Sequence, residues 1–204
     1  MLSSYTGVIL AGGLNSRFSG ANKAFIQIGS KRILDHIYDV FSELFEEIIL
    51  VTNDPLKYLG WDLKIVTDIY PARSSLTGIH AGLFYATGSH AFITACDTPF
   101  LKKELIATII CAIESQIDII IPETSAGIEP LFAVYSKKCL KQIENQLQKQ
   151  EFKIQKFFNK VRVRTISENE LRAKDPELTS FFNVNNPSSL EKAKEIKQVN
   201  GCSY

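Results

Sequence analysis

The segment Leu10-Ala11-Gly12-Gly13-Leu14-Asn15-Ser16-Arg17-Phe18-Ser19-Gly20-Ala21-Asn22-Lys23 holds residue types that suit a polyphosphate. Paired glycines after an apolar run let the backbone turn sharply and bring bare N–H groups up to an anion, with no Cβ in the way. Arg17 adds a fork-shaped guanidinium and Lys23 a point-charge ammonium on the same loop. The spacing is neither GxGxxG nor GxxxxGK followed by Ser or Thr, which argues against the dinucleotide fingerprint and the P-loop. Taken alone, a tight turn with exposed basic side chains explains the glycines equally well.

A second chemical segment is Ala95-Cys96-Asp97-Thr98-Pro99-Phe100. An aspartate just past an apolar strand emerges where ligands bind, and magnesium commonly takes one or two protein carboxylates plus phosphate oxygens and water. The competing role for Asp97 is to cap a helix starting near Pro99. In Phe181-Phe182-Asn183-Val184-Asn185-Asn186-Pro187, strand alternation would send Asn183 and Asn185 to one face, where amide oxygens ligate a metal or accept from a sugar hydroxyl. On the residues alone, a turn and a helix cap is the favoured reading there. Asn53 and Asp68 also follow apolar runs and suit a base or a ribose, although such positions are more often plain turns. Cys96, Cys111, Cys139 and Cys202 are scattered with no CxxC pair, which reads as free thiols in a reducing compartment. His36, His80 and His90 lack metal-type spacing and read as structural.

These segments need a scaffold, and the apolar pattern supplies one. Runs at Tyr5–Ala11, Ile48–Val51, Leu63–Val66, Ala91–Ala95, Asp118–Ile121 and Leu131–Tyr135 read as buried strands, the fifth stopped by Pro122. Val161–Ile166 alternates as a half-exposed strand does, and Phe182–Val184 reads as a short last strand. Between them, Ile33, Ile37, Val40, Phe41 and Leu44 recur at helical spacing. Thr77–Thr87 reads as a small-residue helix capped by Gly88, and Pro99 as the first turn of the next helix. Lys137–Gln150 and a segment opened by Asn186 and Pro187 read as further helices. Strand–helix alternation with uniformly apolar strands predicts one α/β domain, residues 1–204. Its sheet is expected to be mainly parallel and Rossmann-like, with helices on both faces. In such a sheet ligands sit at the carboxyl ends of the strands, so Gly12–Lys23 and Asp97 point to one edge.

Composition narrows the partners. The 204 residues carry a formal net charge of +1, with 45% hydrophobic and 22% charged residues, so the whole chain has no bias toward nucleic acid or an acidic membrane. No stretch approaches the roughly 20 apolar residues of a membrane span. The start lacks a basic region before its short apolar run and reads as a strand, not a signal peptide. A cytoplasmic location is expected.

In their order, these motifs resemble the molybdenum cofactor guanylyltransferase family, within the MobA-like nucleotidyltransferases. The resemblance rests on Leu10-Ala11-Gly12-Gly13 with Arg17 and Lys23, Leu76-Thr77-Gly78-Ile79, Cys96-Asp97-Thr98-Pro99-Phe100-Leu101, Glu129-Pro130-Leu131-Phe132-Ala133-Val134-Tyr135 and Asn183-Val184-Asn185-Asn186-Pro187, over roughly residues 6–197. It implies a nucleotide-diphospho-sugar transferase-like fold and transfer of GMP from GTP to molybdenum-carrying molybdopterin, with Mg²⁺ as cofactor. Cofactor-biosynthesis proteins and molybdoenzymes are the implied further partners. Carried over by position, Leu10, Ala11 and Gly12 touch the nucleotide through backbone, and Gly13 is a further nucleotide-binding residue. Lys23 contacts phosphates, and Arg17 helps neutralise them. Asn53 and Asp68 are further nucleotide contacts. Asp97 contacts the nucleotide and holds Mg²⁺, with Asn185 assisting near the metal. The chain departs from the family's usual Arg-Met-Gly-Gly-x-Asp-Lys at Ser19 and Asn22, and from Gly-Pro-Leu-Ala-Gly at Ser74-Ser75-Leu76-Thr77-Gly78. The rival expectations are a CTP-using cytidylyltransferase, transfer to a different phosphorylated acceptor, and a non-catalytic nucleotide-binding or cofactor-delivery protein.

Overall fold

Neighbouring residues on each central strand go to opposite sides, and both sides are buried. The computed structural model describes residues 5–12 and 22–201, with side chains through residue 198. Strand β1 (Tyr5–Leu10) sends Val8 into one apolar cluster and Ile9 into the other. A small antiparallel hairpin follows, β2 (Gln27–Ile28) and β3 (Lys31–Arg32), turning at Gly29 with φ +66°. Next come α1 (Ile33–Leu44), β4 (Glu47–Val51), β5 (Lys64–Val66), α2 (Ser75–Tyr85) and β6 (His90–Ala95). The rest of the chain gives α3 (Lys103–Cys111), β7 (Ile119–Thr124), β8 (Gly127–Ile128), β9 (Phe132–Ser136) and α4 (Leu140–Gln148). It closes with β10 (Val163–Ser167), α5 (Glu168–Arg172) and α6 (Pro187–Gly201).

The main sheet runs β10-β7-β9-β6-β1-β4-β5, with β8 paired to β7. β1 pairs in parallel with β4 and β6, β4 with β5, and β7 with β10. β9 lies antiparallel between β6 and β7. The expected mainly parallel sheet is therefore mixed at one interior position. An all-buried run such as Phe132–Ser136 packs equally well in either direction, so its pattern does not reveal the polarity. The reversal has a consequence for the site, because β9 begins where its neighbours end and Glu129–Leu131 is delivered to their carboxyl edge.

One face of the sheet packs on α1, α3 and α6 through Phe41, Ile106 and Ala193. The other packs on α2 and α4 through Ile79, Leu83 and Ile143. Helix α2 lies very close to β1. A Cβ built on Gly82 would stand 2.6 Å from Val8 Cγ1, and one on Gly78 would stand 3.2 Å from Leu10 Cδ2. Close helix–sheet packing thus accounts for the small residues of α2. Ser74 caps this helix: its Oγ accepts from the Thr77 N–H at 3.2 Å and the Thr77 Oγ1 accepts from the Ser74 N–H at 3.0 Å.

Several local expectations change. Helix α2 ends at Tyr85 with extended Ala86 as its C-cap, so Gly88 is not the cap. Helix α3 begins at Lys103, past Pro99, and its N-cap is Lys102. Strand β7 continues through Pro122, because pairing with β9 ends at Ile120↔Val134 and the missing N–H costs no ladder bond there. Phe182–Val184 forms no strand. It follows a 3-10 turn, Thr179–Phe181, and the Val184 N–H donates to the Asp97 C=O at 2.8 Å. The Asn186 cap is present: its Oδ1 accepts from the Ser189 N–H at 2.8 Å, and Pro187 opens α6.

Candidate active site

Parallel pairing brings the ends of β1, β4 and β6 to one edge. The Leu10 C=O accepts from the Cys96 N–H at 3.0 Å, and the Ala11 N–H donates to the Val51 C=O at 2.8 Å. Ala11 is thereby buried and held in the sheet, whereas Leu10 and Gly12 line a cleft. Gly13 and Arg17 lie outside the described residues.

Lys23 re-enters on a 3-10 turn, Lys23–Phe25. The Asn22 Oδ1 accepts from the Ala24 N–H at 3.1 Å and its Nδ2 donates to the Tyr58 Oη at 2.6 Å. The amide orientation follows from chemistry, since only an oxygen can face the Ala24 N–H. Tyr58 is fully buried on the turn after β4 (Pro55–Tyr58), and Phe25 packs 5.1 Å from its ring and 5.9 Å from that of Trp61. So anchored, the Lys23 Nζ donates to the Asp97 Oδ2 at 3.0 Å and to the Asn185 Oδ1 at 2.5 Å. These partners lie 74 and 162 positions along the chain.

Asp97 does not cap a helix; its side chain faces Lys23 and its C=O holds the Val184 N–H. That backbone bond sets the distance at which Asn185 arrives, and Ser189 Oγ steadies the Asn185 N–H at 2.9 Å. On one side of this cluster lies a cleft of about 300 Å³, floored by Leu10, Val51 and Ala95. Its far wall is Asp68, Arg73, Ser74 and Ser75. Asn53 is exposed and donates to the Asp68 Oδ2 at 2.8 Å, next to Gly12. On the other side lies a second cleft of about 260 Å³ that shares Ala95, Asp97 and Leu131 with the first. Asn183 and Asn185 both line it, through loop geometry and not strand alternation.

The two clefts hold one desolvated carboxyl each. Burial raises Asp68 above its ordinary range, opposed by the Asn53 amide and the Arg73 charge. Burial likewise raises Glu129 in the second cleft. Cys96 lines the first cleft beside Asp97, but burial and then the Asp97 charge push its thiol up to about 12, so it is no thiolate nucleophile. Among the described residues no group of three His, Cys, Asp or Glu side chains is placed to hold a metal.

Thus Lys23, Asp97 and Asn185 meet at one point, Leu10, Gly12 and Asp68 share the first cleft, and Asn53 reaches it through Asp68. Arg73, Tyr58 and Glu129 escaped the sequence reading as site residues. Arg73 had a weak signal in its place just before a small-residue helix. Glu129 opens one of the segments that carry the family resemblance, but nothing local places it at the site, because its position depends on the direction of β9.

A cleft at a sheet's carboxyl edge, with an ammonium and a carboxylate meeting over its floor, is the framework of a phosphate-handling α/β protein. Residues 7–165 match the family model of the MobA-like NTP transferase domain, and the chain belongs to that family. It is 49% identical over 193 residues to the molybdenum cofactor guanylyltransferase of Desulfosudis oleivorans, covering 95% of this chain and 96% of the relative. It is 37% identical over 200 residues to a probable molybdenum cofactor guanylyltransferase of Natranaerobius thermophilus, covering 96% and 97%. The crystal structure of molybdopterin-guanine dinucleotide biosynthesis protein A from Archaeoglobus fulgidus superposes with a TM-score of 0.85 at 25% identity, over 95% of this chain and 99% of that one. A 4-diphosphocytidyl-2C-methyl-D-erythritol synthase from Anaerococcus prevotii shares the fold, with a TM-score of 0.69 at 18% identity, over 95% and 96% of the two chains.

Proposed function

We propose that the protein transfers GMP from GTP to molybdenum-carrying molybdopterin, giving the guanine dinucleotide cofactor and pyrophosphate. The observation that carries this reading is the meeting of Lys23, Asp97 and Asn185 at the joint of two clefts. Each cleft then takes one substrate, and the reacting phosphates meet at the joint. A terminal phosphate oxygen of the acceptor forms a bond to the α-phosphorus of GTP. The α–β bridging bond breaks, and pyrophosphate leaves with its electron pair. The acceptor oxygen is already anionic, so no protein nucleophile is required. Catalysis then comes from positioning two polyanions and balancing their charge.

Lys23 supplies one positive charge at the joint, and Arg17 is assigned a second. Asp68 and Asn53 face the nucleoside. Magnesium fits the donor set: the Asp97 and Asn185 oxygens already converge on one cationic nitrogen, at 3.0 and 2.5 Å. Two oxygen donors suffice where phosphate and water complete the shell. When bound, Mg²⁺ would neutralise phosphate charge and polarise the reacting phosphoryl group. The reading keeps the protein in the cytoplasm, whose reducing state suits the free Cys96, Cys111 and Cys139.

Thermal unfolding with GTP, CTP, ATP and UTP, each with and without Mg²⁺, tests the nucleotide, since a ligand bound only to the folded state raises stability. Pyrophosphate release with molybdenum-loaded molybdopterin tests the transfer. GTP with Mg²⁺ is expected to give the largest shift and to release pyrophosphate. Release from CTP instead would make the protein a cytidylyltransferase. Binding without release would make it a delivery protein.

A further inference from the structure

We propose that Glu129 is the acceptor-recognition residue, its carboxylate accepting from the paired N–H and NH₂ donors on the amino-pyrimidinone edge of the pterin. This rests on the guanylyltransferase reading above. The second cleft must take the acceptor if the first takes GTP, and its polar lining is uneven. Asp97 and Asn185 meet Lys23 at the joint, where phosphates belong, and the Asn183 amide is held by the Phe181 C=O at 3.1 Å. The remaining lining carries Pro130, Phe132 and Phe181, the two rings meeting edge-on at 4.8 Å, the Thr98 and Ser180 hydroxyls, which donate to the Ala95 and Phe100 C=O, and Glu129. Besides Asp97, Glu129 is the cleft's one carboxylate among the described residues.

The geometry holds Glu129 by its backbone and leaves its side chain available. Its N–H donates to the Pro122 C=O at 3.0 Å, and its C=O accepts from the Phe132 N–H at 3.1 Å. Those bonds tie the segment to β7 and to the start of β9. The Glu129 carboxylate makes no hydrogen bond or ion pair with another described residue, and burial in the cleft raises its pKa above the ordinary carboxylate value. A desolvated acceptor pair without a partner disfavours its own charge, and a ligand presenting two parallel donors relieves that cost. The flat pterin presents such a pair on one edge, and its face suits contact with the half-buried Phe181 ring. Guanine carries the same edge, but the first cleft has its own desolvated carboxyl in Asp68. The two substrates are thus told apart by which cleft their phosphates leave open, and each heterocycle meets one carboxylate.

Glu129→Gln and Glu129→Ala test this in the full chain. Gln keeps the shape but sets its own NH₂ against a ligand donor. The acceptor KM in pyrophosphate release is expected to rise by at least about tenfold in both variants, the scale of one mismatched hydrogen bond. The GTP KM and the GTP-Mg²⁺ thermal shift should stay within about twofold, as for a change remote from the nucleotide. Fluorescence quenching of 6-hydroxymethylpterin by the native protein should weaken in parallel. An unchanged acceptor KM in both variants overturns the proposal, and a raised GTP KM with an unchanged acceptor KM overturns it by assigning Glu129 to guanine. If the native protein releases no pyrophosphate from GTP and the acceptor, the guanylyltransferase reading fails. The 6-hydroxymethylpterin titration still decides Glu129 in that case: equal quenching by native protein and Glu129→Gln, or none by either, sinks the assignment.

Discussion

Replacing Asp97 by Asn removes one charge from the joint of the two clefts while keeping its shape. In the resting protein the Asp97 Oδ2 lies 3.0 Å from the Lys23 Nζ, and both side chains are 17% exposed. At an effective dielectric near 20, two unit charges at this separation attract by about 5 kcal/mol before desolvation is counted. Most of that is offset by the cost of drying both groups. The amide oxygen of the variant still accepts from Lys23, and Asn185 still holds the ammonium, so folding stability should fall by only about 1–2 kcal/mol. Turnover should fall further. The lost charge is the one proposed to hold Mg²⁺ against the reacting phosphates, and removing one key electrostatic group typically costs about 10²–10³ in kcat, or about 2.7–4 kcal/mol. The assay is pyrophosphate release at saturating GTP and acceptor, with urea unfolding run in parallel. A cooperative unfolding transition with a kcat within about threefold of the native value, under 1 kcal/mol of barrier, would refute the role given to Asp97.

Lys23→Ala should weaken GTP binding more than GMP binding by calorimetry, because GTP brings two more charged phosphates to the joint where the ammonium stands; equal losses would count against a role for Lys23 beyond the α-phosphate. Tyr58→Phe leaves the Asn22 Nδ2 without its acceptor, which should lower stability by about 1–2 kcal/mol in urea unfolding, and an unmoved midpoint would count against that anchor. Gly82→Ala forces a methyl group to 2.6 Å from Val8 Cγ1 and should cost about 1–3 kcal/mol, whereas Gly60→Ala, with nothing within 4 Å, should be tolerated; equal effects would contradict the close packing of α2. At Glu47, burial pushes the carboxyl up, but the Thr87 N–H, the Thr6 hydroxyl and Lys64 outweigh it and hold the group at about 2, against an ordinary 4.5. Its contribution to stability is therefore present above pH 4.5 and is lost as pH falls toward 2. Glu47→Gln should flatten that acid limb in pH-dependent unfolding, and a parallel limb would show that Glu47 carries no linkage.

The chemical segments could be read from the chain because their local requirements are strict. A strand that runs out into Gly12 and an aspartate just past Ala91–Ala95 carry their meaning within a few residues. The buried strands were equally plain, since neighbours such as Ile49 and Leu50 are apolar on both faces. Errors arose where distant chain segments decide the outcome. Pro122 was expected to stop a strand, yet it sits where β9 has already left its side. For Asn183 and Asn185 the residues favour a turn and cap over strand alternation, and a loop bonded to the Asp97 carbonyl brings both to the cleft.

Residue types alone settled which chemistry was available: an anion-tolerant turn, one well-placed carboxylate, amide oxygens late in the chain, and strands apolar enough to bury both sides. Only the folded sheet decided that Lys23, Asp97 and Asn185 share one point, and that Glu129 arrives beside them. The physical reason is that side-chain direction is local, whereas proximity is not. Strand order and the reversed course of β9 are set by packing among segments far apart in the chain, and no single stretch encodes them.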